Sequence, residues 1–157
     1  MSGRWESPDN SVKWIKDSTA IQESHQYVLA LDLKSPLATE VDITALPIVD
    51  DTAIIGSIGS VRDGELGYML HPAVWGKGIA PEALRAYIPS YFARFADKEK
   101  LTAYTDTQNP RSNRVLEKIG FVLVLTEPYE SVELGTRDES IWELTRVTVE
   151  NWEADGI

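Results

Sequence analysis

Residues 64–84 read GELGYMLHPAVWGKGIAPEAL, and this stretch decides how the rest of the sequence is interpreted. Glu65 to Leu70 has the pattern of a short strand, and Pro81 suits the first turn of a helix, where its missing N–H costs nothing. The loop between them holds Gly76 and Gly78, which let the backbone approach a ligand closely. A helix N-terminus presents about four unpaired N–H groups and roughly half a positive charge. Strand, glycine loop and helix therefore predict a pyrophosphate site.

Two common phosphate-binding patterns do not fit this loop. The Walker pattern needs Ser or Thr after its lysine, but Lys77 is followed by Gly78. The dinucleotide pattern needs a third glycine where this sequence has Pro81. A nucleotide-binding domain is therefore disfavoured, and another phosphate-bearing ligand is expected.

The segments around this stretch alternate between strand and helix patterns. Upstream, the predicted elements are a helix over Ser11 to Glu23, strands over Tyr27 to Leu33 and Ala53 to Val61, an irregular loop with one short strand over Leu37 to Asp51, and a turn at Arg62 to Gly64. Downstream, they are a helix from Pro81 to Phe95 bent at Pro89, a strand over Leu101 to Thr105, a helix starting at Asn109 and Pro110 and ended by Gly120, a strand over Phe121 to Thr126 ending near Pro128, and a strand over Ile141 to Val149. We expect one α/β domain spanning residues 1–157, with a mixed sheet.

The composition limits the class of protein. The chain has 157 residues, 43% of them hydrophobic, which is enough for one domain with a core. It has no cysteine, which excludes disulfides, thiolate metal ligands and a cysteine nucleophile. No apolar run approaches the roughly 18 residues that span a bilayer, and the N-terminus lacks a signal peptide's apolar core, so we expect a cytoplasmic protein without a membrane partner. The net charge of −10 argues against a nucleic-acid partner.

Two blocks of the sequence resemble the GCN5-related N-acetyltransferase (GNAT) superfamily. The stretch quoted above is similar to that family's acetyl-CoA-binding motif, and closest to the branch that acetylates ribosomal-protein N-termini, where W-G-x-G-x-A-x-E-A is usual. Gly78 and Ala80 match the last two fixed positions of the superfamily pattern [QR]-x-x-G-x-[GA], whereas Trp75 stands where Gln or Arg is most general. The second block, NPRSNRVLEKIGFVLV from Asn109 to Val124, resembles N-x-x-S-x-x-[VL]-x-x-x-[IL]-G-F.

The resemblance implies a fold, a co-substrate and an acceptor. The fold would be a mixed, mostly antiparallel α/β sheet with splayed central strands, flanked by helices on both faces. The co-substrate would be acetyl-CoA, without a metal, and the acceptor would be a primary amine on a protein N-terminus or a small molecule. The implied cofactor-binding residues are Met69, Leu70, His71, Trp75, Gly76, Lys77, Gly78, Ile79, Ala80, Asn109, Ser112 and Arg114, with Arg111 as a further cation.

The resemblance also implies catalytic roles. Glu65 would be the base, since the family often has a carboxylate there; the alternative is a solvated hairpin residue. The N–H of Leu70 would stabilise the oxyanion. His71 is an alternative base, although structuring the loop suits it better. The tyrosine that many members use as acid is replaced by Leu116, so Ser112 would donate to the leaving sulfur, or alternatively satisfy donors of its helix's first turn.

Two departures from the family pattern leave alternatives open. The absent tyrosine permits a catalytically silent module that binds acyl-CoA and keeps the fold. The family usually has a strand and one or two helices before the predicted first helix, so the resemblance implies a chain that is N-terminally short. A second copy of the chain would cover the missing edge, which favours a homodimer.

Overall fold

The computed structural model describes residues 4–6, 12–16, 25–62 and 64–155, and it divides into two compact units. The first unit comprises Met1–Val61 and Gly67–Tyr87, and the second comprises Arg62–Leu66 and Ile88–Ile157.

The first unit is built on strands that pair side by side. The strands of the first half of the chain are β1 (Arg4–Glu6), β2 (Val12–Lys16), β3 (Gln26–Asp32), β4 (Ile48–Val49), β5 (Thr52–Arg62) and β6 (Glu65–Leu70). They are hydrogen-bonded in the order β1-β2-β3-β5-β6, with β4 paired to β5. The strands predicted in the sequence from Tyr27, Ala53 and Glu65 are therefore confirmed.

The helix predicted over Ser11 to Glu23 is wrong where it is described. Residues 12–16 form β2, which is antiparallel to β3 from Val12 opposite Leu31 to Lys16 opposite Tyr27. The sequence VKWIK is rich in β-branched and aromatic residues, which suit a strand, and its neighbours on both sides supply hydrogen-bond partners. Residues 17–23 lie outside the described residues.

Between β3 and β5 the chain is irregular, as predicted. It forms two short 3-10 helices, Pro36–Glu40 and Ile43–Ala45, before the two residues of β4. At the predicted turn after β5, Gly64 has a φ of 73°, which glycine adopts at no steric cost, and Asp63 lies outside the described residues.

The remaining elements follow β6 in the chain. They are α1 (Ile79–Arg94), which begins in the first unit and ends in the second, then β7 (Lys100–Asp106), α2 (Pro110–Ile119), β8 (Val122–Ser131), β9 (Gly135–Thr145) and α3 (Arg146–Asp155). Strands of the second unit follow the order β6-β7-β9-β8. β6 is parallel to β7 through Glu65 and Leu66, and the other pairs are antiparallel. α1 continues through Pro89, and the bend expected there stays a prediction.

Two predicted strand ends are wrong. The strand expected to end near Pro128 continues past it, because β8 lies at the end of the strand order, where a residue without an N–H is tolerated. The strand predicted over Ile141 to Val149 ends at Thr145, and α3 begins at Arg146. Thr145 Oγ1 accepts a hydrogen bond from the Thr148 N–H at 3.4 Å and so caps the new helix.

Arg146 gives a physical reason for the change from strand to helix. Its guanidinium donates to the carbonyl oxygens of Phe92, Phe95 and Lys98 at 2.6–3.1 Å, and it lies 4.9 Å from the centre of the Phe92 ring. These carbonyls lie at and just beyond the carboxyl end of α1, where a cation satisfies unpaired acceptors and opposes the helix dipole.

These elements make a mixed α/β fold whose sheet is mostly antiparallel and flanked by helices, as predicted. The splayed central strands and the presence of helices on both faces of the sheet stay predictions. Within the described residues, no helix is both long and apolar enough to cross a membrane. The largest fully buried side chains are Leu29, Leu31, Ile55, Ile58, Ile79, Leu84 and Tyr87 in the first unit, and Ile88, Tyr91, Leu101 and Leu116 in the second.

Candidate active site

The amino end of α1 presents main-chain N–H groups outside the helical hydrogen-bond pattern. The first helical hydrogen bond runs from the Glu82 N–H to the Gly78 carbonyl oxygen, at 3.3 Å, so the earlier N–H groups have no partner within the helix. In the described part of the chain, no acceptor is hydrogen-bonded to the main-chain N–H groups of residues 76–80. Pro81 has no N–H. These donors and the positive end of the helix dipole suit an anion.

Gly76 and Gly78 shape the approach to these donors. Their φ angles are 73° and 76°, in the left-handed region that favours glycine. Apart from neighbours in the chain, a methyl group on either residue would meet no atom of the described residues within 4 Å. Backbone conformation, and not crowding, therefore favours glycine here, and the space above the loop is open to a ligand such as a diphosphate.

Lys77 is the cation of this loop. Its Nζ lies 4.0 Å from Oε2 of Glu40, and both side chains are partly exposed, so the pair is weak and Lys77 can turn to a phosphate. Arg111 and Arg114, the other predicted cations, are exposed on α2 in the second unit.

The chain between β6 and α1 is held by side chains of the predicted site. The Trp75 indole N–H donates to the Leu70 carbonyl oxygen at 2.9 Å. Nδ1 of His71 accepts from the Ala73 N–H at 3.1 Å, and the His71 N–H donates to the Ile55 carbonyl oxygen at 2.8 Å. The His71 side chain and main chain thus both help to hold the loop that follows β6.

Gly56 is a residue of the site that the sequence analysis missed. A methyl group on Gly56 would lie 2.0 Å from the carbonyl oxygen of Met69 and 3.0 Å from a side-chain carbon of Leu70. β5 therefore passes β6 so closely at this point that only glycine fits. The signal was available, since an isolated glycine inside a strand pattern often marks a close backbone approach.

In the second unit, Asn109 and Ser112 form a small network at the start of α2. Asn109 Oδ1 accepts from the Ser112 N–H at 3.3 Å, and Asn109 Nδ2 donates to Ser112 Oγ at 3.2 Å. The serine oxygen thus acts as an acceptor, which leaves its own hydrogen for donation. Asn109 retains one further N–H for a ligand. Ser112 Oγ here accepts from a side chain, so the first-turn role and the donor role considered for Ser112 both stay predictions.

A second network, also missed, positions α2. Asn113 is hydrogen-bonded to Thr105 Oγ1, and its Nδ2 contacts the carbonyl oxygens of Asp106 and Thr107 at 3.5 and 3.4 Å. Thr105 Oγ1 also accepts from the Trp142 indole N–H at 2.9 Å. Because these bonds join β7, α2 and β9, no local sequence pattern predicts them.

Glu65 stands in an acidic part of the second unit. Its side chain is 25% exposed, and its Oε2 lies 3.9 Å from Nε of the well-exposed Arg62. Burial, and then the charges of Glu127 and Glu65, raise the pKa of Glu139. In the described part of the chain, no group of three or more His, Asp or Glu side chains is placed to hold a metal ion.

Asp106, at the end of β7, ties the β8–β9 hairpin to the approach of α2. Its Oδ2 accepts from Arg137 Nε at 2.9 Å and from the Tyr129 hydroxyl at 3.3 Å, and its Oδ1 accepts from the Gln108 N–H at 2.7 Å. The hydrogen bonds from Arg137 and Gln108 lower the pKa of Asp106. Burial and the adjacent carboxylate raise the pKa of Tyr129.

The sequence model of the acetyltransferase (GNAT) domain matches residues 2–122. The match covers most of the chain, which therefore belongs to the GNAT acetyltransferase family and is an N-acetyltransferase by class. Coenzyme A as carrier and an amine as acceptor follow from that class. No curated protein sequence matches the chain.

Solved structures show the same fold. The spermidine N-acetyltransferase of Vibrio cholerae in complex with CoA and spermine is 16% identical with a TM-score of 0.63, over 83% of this chain and 70% of that one. A ribosomal-protein-S5-alanine acetyltransferase of Vibrio fischeri is 19% identical with a TM-score of 0.58, over 78% and 61%. A GNAT-family acetyltransferase of Bacillus anthracis is 19% identical with a TM-score of 0.55, over 77% and 66%.

Proposed function

We propose that the protein transfers the acetyl group of acetyl-CoA directly to a primary amine in a ternary complex. The observation that carries the proposal is the row of main-chain N–H groups at residues 76–80, which have no acceptor in the described part of the chain. The pyrophosphate of CoA is an anion of the size and charge that such a helix end binds.

The predicted cofactor-binding residues share the task of holding CoA. The loop from Trp75 to Ala80, including Ile79, binds the pyrophosphate, with Lys77 as its cation. Backbone groups of Met69, Leu70 and His71 line the pantetheine arm and the thioester. The remaining N–H of Asn109 binds a pantetheine amide, and Arg114 contributes charge against the phosphates.

The chemistry follows from what acyl transfer requires. Glu65 removes the proton of the amine, directly or through water, because an ammonium nitrogen has no lone pair. The nitrogen forms a bond to the acetyl carbon, and the Leu70 N–H stabilises the oxyanion. The C–S bond then breaks, and the departing sulfur takes a proton from Ser112, whose hydroxyl hydrogen is not used by its bond to Asn109. The serine oxygen regains a proton from the second one that the nitrogen loses as it becomes an amide, directly or through water. Holding both substrates together supplies much of the rate.

The acceptor belongs to one of two groups of primary amines, protein N-termini or small molecules. Neighbours of similar fold act on ribosomal protein S5 and on spermidine. A single domain over residues 1–157, a homodimer and a cytoplasmic location, which the lack of cysteine suits, belong to this proposal as well.

Two measurements test the proposal. Calorimetry with acetyl-CoA asks whether the loop binds its ligand, and release of free CoA thiol with a panel of amines and peptide N-termini asks whether the acetyl group moves. Amine-dependent release of CoA together with an N-acetylated product supports the proposal. Binding without release favours the silent acyl-CoA-binding module instead, and absence of binding refutes both.

A further inference from the structure

A cavity of about 350 Å³ opens in the first unit. It is lined by three consecutive residues on each of three neighbouring strands, namely 26–28 on β3, 57–59 on β5 and 67–69 on β6. Two of the lining residues, Gly59 and Gly67, have no side chain. Small-molecule sites have volumes of about 300–1,000 Å³, so this one suits a small ligand.

The cavity adjoins the segment to which the acetyl group is assigned. Met69 lines it, and the next residue of β6, Leu70, carries the proposed oxyanion donor. One strand residue spans about 3.3 Å, so a molecule in the cavity lies close to a carbonyl group held at Leu70. An attacking amine must come within about 3–3.5 Å of the carbonyl carbon.

The described side chains that line the cavity are uncharged. They are aromatic or aliphatic, and their polar groups are the amide of Gln26 and the hydroxyls of Tyr27, Ser57 and Tyr68. An ammonium group removed from water needs an anionic partner, so the several ammonium groups of a polyamine find no counter-ion among these residues. An aromatic or apolar body gains buried area instead, and the flexible thioether of Met69 adapts to it.

We infer that this cavity is the acceptor pocket, and that it takes a primary amine carried on an uncharged aromatic or apolar body, such as an arylalkylamine, in preference to a polyamine. The inference rests on the proposed acetyl transfer and names its acceptor class. When such an acceptor binds, the reacting nitrogen is its one charged group. That nitrogen loses its charge before it attacks the thioester carbonyl carbon.

Calorimetric titration of phenethylamine and of spermidine into CoA-saturated protein measures this preference. We expect phenethylamine to bind at least about tenfold more tightly, a difference of about 1.4 kcal/mol. Ser57→Phe fills the cavity from an exposed strand position and should weaken phenethylamine binding about tenfold. Ser57→Asp supplies a carboxylate and should shift the preference toward spermidine. Thr126→Phe, at an exposed position of β8, is the matched control and should change neither affinity.

The affinity of each variant for CoA separates the two proposals. Protein that does not bind CoA refutes the proposed acetyl transfer, and titration of phenethylamine into the free protein then still tests the cavity. Spermidine binding as tightly as phenethylamine to the wild type overturns the inference while acetyl transfer stands. So does unchanged phenethylamine affinity in a Ser57→Phe protein whose circular dichroism shows that it is folded.

Discussion

The amino ends of α1 and α2, which both carry predicted site residues, are built in opposite ways. At α1, the main-chain N–H groups of residues 76–80 have no acceptor in the described chain, and two glycines replace bulky side chains. At α2, Asn109 caps its own helix by accepting from the Ser112 N–H. One end is completed by its own sequence, while the other is left open to solvent and to ligand.

The contrast between α1 and α2 indicates how a helix end that binds a ligand can be recognised. Unsatisfied donors are tolerated at an exposed end because water satisfies them, but they add nothing to the stability of the helix. A capping side chain in the α1 loop would stabilise α1 and occupy the donors. The described part of the chain places no such side chain on the N–H groups of residues 76–80, and this is a better indicator of a ligand than the glycines alone.

Blocking the open amino end of α1 should have the largest effect of all, and the effect should be on acetyl-CoA affinity. Gly78→Glu places a carboxylate against the donors, and we expect acetyl-CoA affinity to fall at least about 100-fold, or about 2.7 kcal/mol, by calorimetry. Gly135→Glu is the matched control, because Gly135 has a similar φ of 73° and nothing within 4 Å. Equal affinities of the two variants would show that the loop of α1 does not bind the pyrophosphate.

The second-largest effect is expected from displacing β6, the strand that leads to the open amino end of α1. Gly56→Ala forces the Met69 carbonyl group to move, since the new methyl would lie 2.0 Å from its oxygen. Misplacement on the scale of 1 Å costs up to about 100-fold in rate, so we expect kcat to fall about 10- to 100-fold at saturating acetyl-CoA. The calorimetric affinity for CoA should change little. An unaltered kcat in the folded variant would remove Met69 and Leu70 from the reacting centre.

At the capped end, the hydroxyl group should matter for turnover. Ser112→Ala removes the proposed proton donor, and we expect kcat to fall about tenfold while KM for acetyl-CoA stays within about twofold. Ser112→Thr retains a hydroxyl and should recover part of the rate. If steady-state kinetics show the alanine and threonine variants to be alike, the proton comes from another group.

The cap itself should matter for stability. Asn109→Ala leaves the Ser112 N–H without its acceptor, and we expect the free energy of unfolding to fall by about 1 kcal/mol in urea denaturation. Asn109→Asp keeps the oxygen that accepts this bond and should cost less. A stability loss of the same size in both variants would contradict the capping role.

The smallest effect is expected from the carboxylate that precedes α2. The pKa of Asp106 is lowered in the folded protein, chiefly by Arg137, so its stabilisation is present above the unfolded pKa of about 3.9 and is lost as the pH falls through the lower folded value. Arg137→Leu should therefore destabilise the protein more at pH 7 than at pH 3, measured by urea unfolding at both. A difference from wild type that is independent of pH would contradict this.

The parts of the fold that sequence could predict are those whose signals are local. α2 begins and ends where Asn109 and Gly120 predict, because both act on their own helix, and Gly120 has the expected left-handed φ of 107°. The strand from Glu65 to Leu70 also agrees residue for residue. α1 begins at Ile79, two residues before the predicted Pro81.

The wrong predictions concern residues whose partners are distant in sequence. Val12 and its neighbours become a strand because β3 pairs with them, and Arg146 leaves the strand pattern to bind carbonyl groups about fifty residues earlier in the chain. The residues of the candidate site divide in the same way, into those with a local sequence signal and those whose partners are distant in sequence. Its glycine loop was visible in the sequence, whereas the contact of Gly56 with Met69 depends on how two strands meet.

The contact between Gly56 and Met69 limits how the range of accepted amines can be changed in the laboratory. Libraries that vary positions 28 and 57 explore the cavity wall, whereas any side chain at Gly56 pushes on the segment proposed to hold the thioester. Directed evolution toward new amines should therefore retain glycine at position 56 while its neighbours diversify.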